Sequence, residues 1–306
     1  MKKYIDNISS MPRIKTRKNR KKRKRRNKTK RKRLKKSSCA PRKKDDVLDY
    51  SCYSKSELLN MKNMWNKRHP DVQIKTKNEK KIWDKLGEYL GDVCDKEACW
   101  IESNIFKNKL NKEKIFSPKS PDSWKQNINE WLTSLDILKF MKQYENVYKC
   151  FEFLGPSPID YDTHMHNGDC VWEDLCEFNL KKAMGKGINK IGVVFNLDPH
   201  YKSGSHWVCL FINCKKQFVY YFDSYGDVTP TQIRKFARKV QDQSEKFGKR
   251  FKFSYNKKRH QFKNSECGMY CLYMIIQLLK DKSVKIFNKS IPDKKMENLR
   301  KEYFNI

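Results

Sequence analysis

The chain has 306 residues, of which 38% are hydrophobic and 34% are charged, and its formal net charge is +34. This length suffices for one good-sized domain with appendages, and for a core that is stable without disulfides or bound metal. No apolar run approaches the roughly 20 residues of a membrane-spanning helix, which excludes a membrane span.

The positive charge is concentrated near the N-terminus. Residues 13–44 contain 21 Lys or Arg and no Asp or Glu, so this segment repels itself and has little apolar surface to bury. We therefore predict a disordered basic tail over residues 1–50. Two interpretations stay open: a solvated tail with no further role, or a handle for DNA, RNA, an anionic membrane surface or a nuclear import receptor. The residues of this handle are Arg20, Lys21, Lys22, Arg23, Lys24, Arg25 and Arg26.

Eleven cysteines follow an N-terminus that lacks the apolar segment of a signal peptide. Together these features predict an intracellular, reducing compartment in which most thiols stay free, as small core residues. Three cysteine pairs have the wrong spacing for zinc knuckles, so neither metal nor cofactor is expected. These pairs are Cys94 and Cys99, Cys170 and Cys176, and Cys209 and Cys214. The histidines expected to be exposed or supporting, without binding metal, are His164, His166, His200 and His260.

A helical region is predicted after the tail. Ser54 and Glu57 form a capping box for a first helix. A second signal of this kind begins at Thr76, and Gly91 ends the helix that follows it. The turn-forming stretch 117–121 then marks a boundary. The resulting divisions are a tail over 1–50, a helical region over 51–118 and a catalytic domain over 119–306.

The catalytic domain is predicted to be α+β, with a central, mostly antiparallel or mixed sheet flanked by helices. Helical periodicity extends from Trp124 to Tyr148, and a Gly-Pro-Ser-Pro turn at 155–158 ends it. Residues 268–279 are apolar nearly all round, which is typical of a helix buried in a core. Apolar and β-branched residues predict strands over 188–197, 207–213, 218–222 and 251–255.

Two polar side chains fall at the open end of a predicted hairpin. Suppose that the two strands are joined by a loop with an even number of residues, centred between Cys214 and Lys215. The numbers of two residues that face each other across the hairpin then add up to about 429. His206 then lies opposite Asp223, whereas an odd loop displaces the pair by one residue. An imidazole that bonds to a carboxylate has a fixed tautomer and a stabilised imidazolium.

Cys267 is the candidate nucleophile. It follows the polar stretch 263–266 and precedes the apolar helix, so it lies at a helix N-terminus, where free N–H groups and the helix dipole favour thiolate. A nearby His would activate it further. Gly268 allows a substrate backbone to approach closely, and Gln261 offers an amide to an oxyanion.

An alternative pair, Cys271 with His260, is rejected. Cys271 lies one turn inside the predicted helix, where the backbone amides are already bonded, which makes it a poor nucleophile. Taken alone, a Cys-Gly pair at a helix start is most often structural. The catalytic interpretation therefore depends on the complete set of residues.

The set occurs in a fixed order along the chain: His206-Trp207, then Asp223-Ser224, then Gln261, then Cys267-Gly268 six residues later. This order and spacing resemble the ubiquitin-like-protein protease superfamily, which includes SUMO proteases, adenovirus maturation proteases and enzymes of large DNA viruses. The resemblance covers roughly residues 150–290. It implies that Trp207 roofs a narrow channel that admits only Gly-Gly. The other implied roles are nucleophile for Cys267, general base and acid for His206, orienting acid for Asp223, and oxyanion donor for Gln261.

The resemblance implies a thiol protease that cleaves after Gly-Gly, with viral structural precursors as the expected substrates. One alternative is an enzyme that removes ubiquitin or SUMO from host conjugates. Two other classes stay open: a protein acetyltransferase on a related Cys-His core, which typically has Glu in the place of Asp223, and a nucleic-acid-binding protein. The expected locations are the virus factory in the host cytoplasm and the virion, with the nucleus as an alternative.

Overall fold

The computed structural model describes residues 37–42 and 48–306. The predicted polyanion-binding residues Arg20–Arg26 lie outside the described residues. The helices are α1 (Lys55–Arg68), α2 (Glu79–Leu90), α3 (Lys112–Ile115), α4 (Ser134–Val147), α5 (Glu173–Cys176), α6 (Leu180–Gly185), α7 (Thr231–Glu245), α8 (Cys267–Leu279) and α9 (Asp293–Tyr303). Short 3-10 helices cover Glu97–Glu102, Asp122–Lys125 and Val284–Asn288. Among the described helices, none is both long and apolar enough to cross a bilayer.

A six-stranded mixed sheet forms the centre of the catalytic domain. The strand order is β1-β3-β4-β5-β6, and β2 pairs with β3 beyond the end of β1. Strands β3, β4 and β5 pair antiparallel, while β1, β2 and β6 join in parallel. The predicted α+β class, with a mixed sheet flanked by helices, is confirmed. The strands are β1 (Phe151–Phe153), β2 (Ser157–Pro158), β3 (Lys190–Asn196), β4 (Trp207–Asn213), β5 (Phe218–Phe222) and β6 (Lys252–Tyr255).

Both faces of the sheet are covered, which explains why all seven residues of β4 are buried. Cys209 and Phe211 belong to the hydrophobic cluster that contains α8, whereas Leu210 and Ile212 belong to the cluster that contains the apolar side of α7. A strand buried on both sides is expected to be continuously apolar, as this one is. The result is a sheet between two layers of helices.

Helix α8 is buried nearly all round, with 12 of its 13 residues inaccessible. Such a helix needs internal partners for the carbonyl groups at its C-terminal end. Lys190, at the start of β3, supplies one, because its Nζ donates to the Leu279 carbonyl at 2.8 Å and to the Asp281 carboxylate at 2.6 Å.

The helical region has a hydrophobic core of its own, which extends from Cys52 to Phe116. The capping box of Ser54 begins α1 as predicted, and α2 ends before Gly91 as predicted. The prediction that Thr76 caps α2 is wrong. Asn78 is the cap, because its side chain accepts the N–H of residue 81.

The prediction of continuous helix from Trp124 is also wrong. Only the 3-10 helix Asp122–Lys125 forms there, and α4 begins after Thr133, whose side chain forms a capping box with Asp136. The intervening chain is not helical, which leaves the Leu132 carbonyl free to accept a hydrogen bond from another part of the chain.

The expectation that most thiols stay free is wrong as well. All eleven cysteines lie in the described residues, and six of them are joined in disulfides. The folded backbone brings the paired Cα atoms to 5.1–6.2 Å, within the usual range for this bond. The disulfides are Cys39–Cys52, Cys94–Cys99 and Cys170–Cys176, and the free thiols are Cys150, Cys209, Cys214, Cys267 and Cys271.

The Lys190 contact generates a prediction about stability. Replacing Lys190 with Met removes the donor from the Leu279 carbonyl at the buried end of α8. We expect the free energy of unfolding to fall by about 1–3 kcal/mol, the cost of an unsatisfied buried polar group. Thermal unfolding measures this loss against Lys181→Met, which removes an exposed lysine. Equal melting temperatures for the two variants would contradict the capping role.

Candidate active site

His206 and Asp223 lie just beyond the ends of neighbouring strands, and their side chains meet. The His206 Nε2 atom is 2.7 Å from the Asp223 Oδ1 atom. The predicted register is nevertheless wrong: the pair Asn213–Phe218 closes the hairpin, so paired numbers sum to 431. On that register His206 would face Tyr225, and the two rings do stack, with centroids 4.6 Å apart. Both His206 and Asp223 lie beyond the paired part of the two strands. The register of the strands therefore does not decide which side chains meet there, and His206 can bond to Asp223.

The Asp223 carboxylate is buried and fixed from several directions. Its Oδ1 atom also accepts the backbone N–H of Tyr225 at 3.0 Å. The backbone of Asp223 is held by Asn256, whose side chain accepts its N–H at 2.9 Å and donates to its carbonyl at 2.6 Å. A carboxylate held in this way can orient an imidazole without moving itself.

Cys267 is the first residue of α8, and its side chain is buried beside His206. The thiol lies close enough to the imidazole to raise the pKa of His206. Since Nε2 of His206 bonds to Asp223, the nitrogen left for Cys267 is Nδ1. The imidazole is thus bonded to the Asp223 carboxylate and interacts electrostatically with the Cys267 sulfur.

The electrostatics of this chain favour a protonated imidazole. Burial alone lowers the pKa of His206, but hydrogen bonds to Asp223 and Cys267 and the attraction of both groups outweigh it, and raise the pKa from 6.5 to about 9. This difference corresponds to about 3 kcal/mol. Because the folded pKa lies above the unfolded one, the stabilisation is fully present below pH 6.5 and is lost as the pH rises through about 9.

Gln261 is completely buried, and it bonds to Ser224, the residue after Asp223. Its Oε1 atom accepts the hydroxyl of Ser224 at 2.7 Å, which fixes the orientation of the amide. Its Nε2 atom donates to the Lys263 carbonyl at 2.5 Å. The amide nitrogen carries two N–H donors. One of them donates to the Lys263 carbonyl, and the second is available to donate to an oxyanion.

Trp207 and Gly268 are both packed against Leu132. The Trp207 Nε1–H donates to the Leu132 carbonyl at 2.9 Å. A Cβ atom added at Gly268 would lie 3.1 Å from the side chain of Leu132. The small size of Gly268 is therefore required by Leu132, and its predicted contact with a substrate backbone stays a prediction.

A cavity of about 390 Å³ opens beside Trp207. Its walls come from α4 and from three loops of the catalytic domain, and they are mostly apolar. Representative lining residues are Leu135, Pro156, Trp172 and His200. A cleft of this size can hold one or two side chains of an extended peptide.

The structure also brings together residues that the sequence left apart. The Nε2 atom of His164 is 3.6 Å from the Cys170 sulfur, and Cys176 completes a group of three metal-ligand types. The two sulfurs are joined in a disulfide, so they are not available as thiolates in this form. Cys271 and His260 do not meet as nucleophile and base: His260 stacks on Phe222 inside the core.

Several supporting residues carry no signal in the sequence. Asn256, which holds the Asp223 backbone, is one polar residue in a polar loop. Glu266 directly precedes Cys267, and its buried carboxylate pairs with Arg300 at 2.9 Å, 34 positions further along the chain. Ser224 and Glu266 stand next to the predicted site residues Asp223 and Cys267, and this adjacency is the one signal that the sequence offers for them.

The chain is similar to several known proteins. Residues 181–306 match the family described as the Ulp1 protease family, C-terminal catalytic domain. The R355 protein of Acanthamoeba polyphaga mimivirus, named as a thiol protease, is 29% identical over 290 residues, which cover 87% of this chain and 92% of R355. A protein of African swine fever virus, named as a SUMO-1 cysteine protease, is 26% identical over 74% of this chain and 90% of its own length. The crystal structure of a protease from African swine fever virus superposes with a TM-score of 0.63 at 22% identity, over 88% of this chain and 96% of that one.

These matches confirm two predictions made from the sequence. The resemblance to the Ulp1-type proteases, and to members encoded by large DNA viruses in particular, is confirmed. The prediction that the chain is a cysteine-type peptidase is confirmed as well. The structural match shows the fold, and it extends over the helical region in addition to the catalytic domain.

The environment of His206 generates a prediction about its titration. We expect an NMR titration of labelled histidine to give a pKa of about 9 for His206 in the native chain. Asp223→Asn should lower that pKa, because the negative partner that favours the imidazolium is removed. His206→Gln identifies the resonance. A pKa near 6.5 in the native chain, or no change in the Asp223→Asn variant, would contradict the arrangement described here.

Proposed function

We propose that this cysteine-type peptidase, whose residues 181–306 form a Ulp1-type catalytic domain, cleaves protein chains after Gly-Gly. The observation that carries the proposal is the 2.7 Å bond between Asp223 and His206, together with the position of Cys267, which is close enough to raise the pKa of His206. These three side chains come from the end of β5, the start of β4 and the N-terminus of α8. A buried thiol close to an imidazole that a carboxylate orients is the arrangement that activates a cysteine nucleophile.

The chemistry proceeds in two halves. The Cys267 thiolate attacks the carbonyl carbon of the residue before the scissile bond. The C–N bond breaks as the His206 imidazolium gives its proton to the leaving nitrogen, which leaves a thioester and a neutral imidazole. Water then loses a proton to His206 as its oxygen attacks the thioester, the C–S bond breaks to restore the thiolate, and the carboxylic acid product departs and gives its remaining proton to the solvent. Asp223 stabilises the imidazolium in both halves.

Two hydrogen-bond donors stabilise the negative charge that develops on the carbonyl oxygen during each attack. The backbone N–H of Cys267 lies in the first turn of α8, where no intrahelical acceptor exists for it. The second donor is the Gln261 amide, whose orientation is fixed by Ser224. Donors that are fixed before the reaction stabilise developing charge without a cost of reorganisation.

The preference for Gly-Gly follows from the surroundings of Trp207. The indole is buried and held by the Leu132 carbonyl, so it cannot swing aside to admit a side chain. A substrate segment that passes beneath it must lack Cβ atoms. The cavity beside Trp207 then receives the residues that precede the glycines.

Viral structural precursors are the proposed substrates. The support is the extent of the similarity to viral proteases, since R355 matches along 92% of its own length and along the helical region of this chain. A second candidate is the removal of a ubiquitin-like modifier, which is favoured by the name of the African swine fever virus relative as a SUMO-1 cysteine protease. Binding of nucleic acid through the basic tail is proposed as an additional property, supported by its charge alone.

A substrate panel distinguishes the two candidates. We expect the purified chain to cleave Gly-Gly-X peptides from precursor-type sequences, and the Cys267→Ala variant to cleave none. Cleavage of ubiquitin or SUMO fusions with no cleavage of peptides would instead establish a deconjugating enzyme. If the native chain cleaves neither class, the proposal is wrong, and the acetyltransferase interpretation would be tested with an acyl donor.

Gln261 permits a sharper prediction about the oxyanion. We expect Gln261→Ala to lower kcat by about a hundredfold or more, the usual cost of one oxyanion donor. Asp223→Asn should retain part of the activity, because an amide still holds His206 approximately in place. A melting temperature close to that of the native chain shows that each variant is folded. A loss of only a few fold for Gln261→Ala would count against its assignment.

A further inference from the structure

The segment from Gln261 to Cys267 carries the proposed oxyanion donor and nucleophile, yet residues 261–266 form neither helix nor strand. Its position is therefore determined by contacts with other parts of the chain. On one side, the Ser224 carbonyl accepts the N–H groups of His260 and Gln261 at 2.8 and 2.9 Å. On the other side lies helix α9, close to the C-terminus.

Three polar side chains of α9 point at this segment. They stand at positions 293, 297 and 300, a spacing of four and three that places them on one helix face. Glu297 pairs with Lys263, but the lysine side chain is 61% exposed, and exposed pairs contribute little. Asp293 and Arg300 are buried, so these two residues determine how α9 holds the segment.

Asp293 binds the backbone of the segment directly. Its Oδ2 atom accepts the N–H groups of Phe262 and Lys263, at 2.9 and 3.1 Å. Its Oδ1 atom accepts the hydroxyl of Tyr270, which belongs to α8, at 3.1 Å. One carboxylate thus connects the segment after Gln261 with the first turn of the helix that carries Cys267.

Arg300 binds the other end of the same segment. Its Nε atom lies 3.0 and 2.9 Å from the two oxygens of Glu266, and its Nη2 atom donates to the Ser265 carbonyl at 2.9 Å. The guanidinium also lies over the Trp124 ring, 4.7 Å from its centroid. The side chains of Arg300 and Glu266 are both almost completely inaccessible to solvent.

A buried ion pair of this kind is a poor way to stabilise a fold. Removing two charges from water costs several kcal/mol per ion, and apolar replacements of similar size are often neutral or stabilising. Burial raises the pKa of Glu266 and outweighs the opposite effect of Arg300. The arrangement therefore needs an explanation other than stability, and its place next to the candidate nucleophile supplies one.

We propose that α9 is a positioning element for residues 261–266, which we call the catalytic segment. The side chains of Asp293 and Arg300 on α9 hold residues 262–266 of this segment. They keep the Gln261 amide and the Cys267 thiol at the distances from His206 that the reaction requires. Neither residue contacts the reacting atoms, so both act through the segment. This inference rests on the proposed function of Gln261 and Cys267.

Asp293 gives the first test, with hydrolysis of a Gly-Gly-X peptide as the assay. In Asp293→Ala we expect kcat to fall by about tenfold to a hundredfold, since displacements near 1 Å have effects of this size. KM should stay within about twofold, because the loss concerns the transition state and not substrate binding. Asp293→Asn retains an oxygen acceptor for the two N–H groups and should recover most of the activity. Glu302→Gln, on the exposed side of the same helix, is the matched control.

The ion pair gives the second test, which separates positioning from folding. Arg300→Met alone leaves Glu266 buried without its partner, and we expect a large loss of stability. The double variant Glu266→Gln with Arg300→Met removes both charges and should keep a melting temperature near that of the native chain. We expect its kcat to stay reduced by at least about tenfold at unchanged KM. Recovery of both the melting temperature and kcat would show that the pair serves folding only, and would overturn the proposal.

Alkylation of Cys267 by iodoacetamide tests the positioning without any substrate. At pH 6 an ordinary thiol is only about 0.3% ionised, so rapid alkylation there requires the contact with His206. We expect the rate at Cys267 to fall by about tenfold in Asp293→Ala and in the double variant, but not in Glu302→Gln. If the native chain fails to cleave Gly-Gly peptides, the proposed function fails while this measurement still reports on α9. Equal alkylation rates in all variants would overturn the inference.

Discussion

The burial of α8 is the constraint on which the rest of the site depends. A helix that is apolar on every side can be the centre of a core, but the polar groups at its two ends must then find partners inside the protein. At the C-terminal end, the partner is Lys190, which reaches across from the first residue of β3. At the N-terminal end, the helix begins at Cys267, and the Glu266 side chain that precedes it does not cap the N–H groups of the first turn. The unsatisfied end of a buried helix thus becomes the place where charge can be stabilised.

The same constraint explains why so many distant residues converge on a short segment. The residues before α8 have no ladder or helix of their own, so β5 holds them through Ser224 and α9 holds them through Asp293 and Arg300. Helix α9 is itself followed by Asn305, whose side chain bonds to Ser38 and to the Ser117 carbonyl. The helical region is consequently joined to the catalytic domain close to the element that holds the catalytic segment.

Much of the fold is readable from the sequence because apolar patterns report burial directly. The bounds of β4 and β5 are predicted to the residue, and so is the buried helix apart from its first position. The register of the hairpin is not, because a four-residue turn closes it: Gln217 adopts a positive φ of 54°, and the Asn213 side chain accepts the N–H of Lys216. The sequence has no Asn-Gly pair at this position that would predict the turn. The contact between Glu266 and Arg300 cannot be predicted from the sequence either, because only folding brings together two residues that are so far apart in the chain.

The assignment of Cys267 as the nucleophile is tested by finding which sulfur reacts with a substrate-like electrophile. A Gly-Gly peptide that ends in a vinyl ester would be incubated with the native chain, and the modified residue identified by mass spectrometry. We expect a single adduct on Cys267, lost in the His206→Ala variant, with the free thiols Cys150, Cys209, Cys214 and Cys271 unmodified. An adduct on any of those four, or labelling of Cys267 that does not require His206, would contradict it.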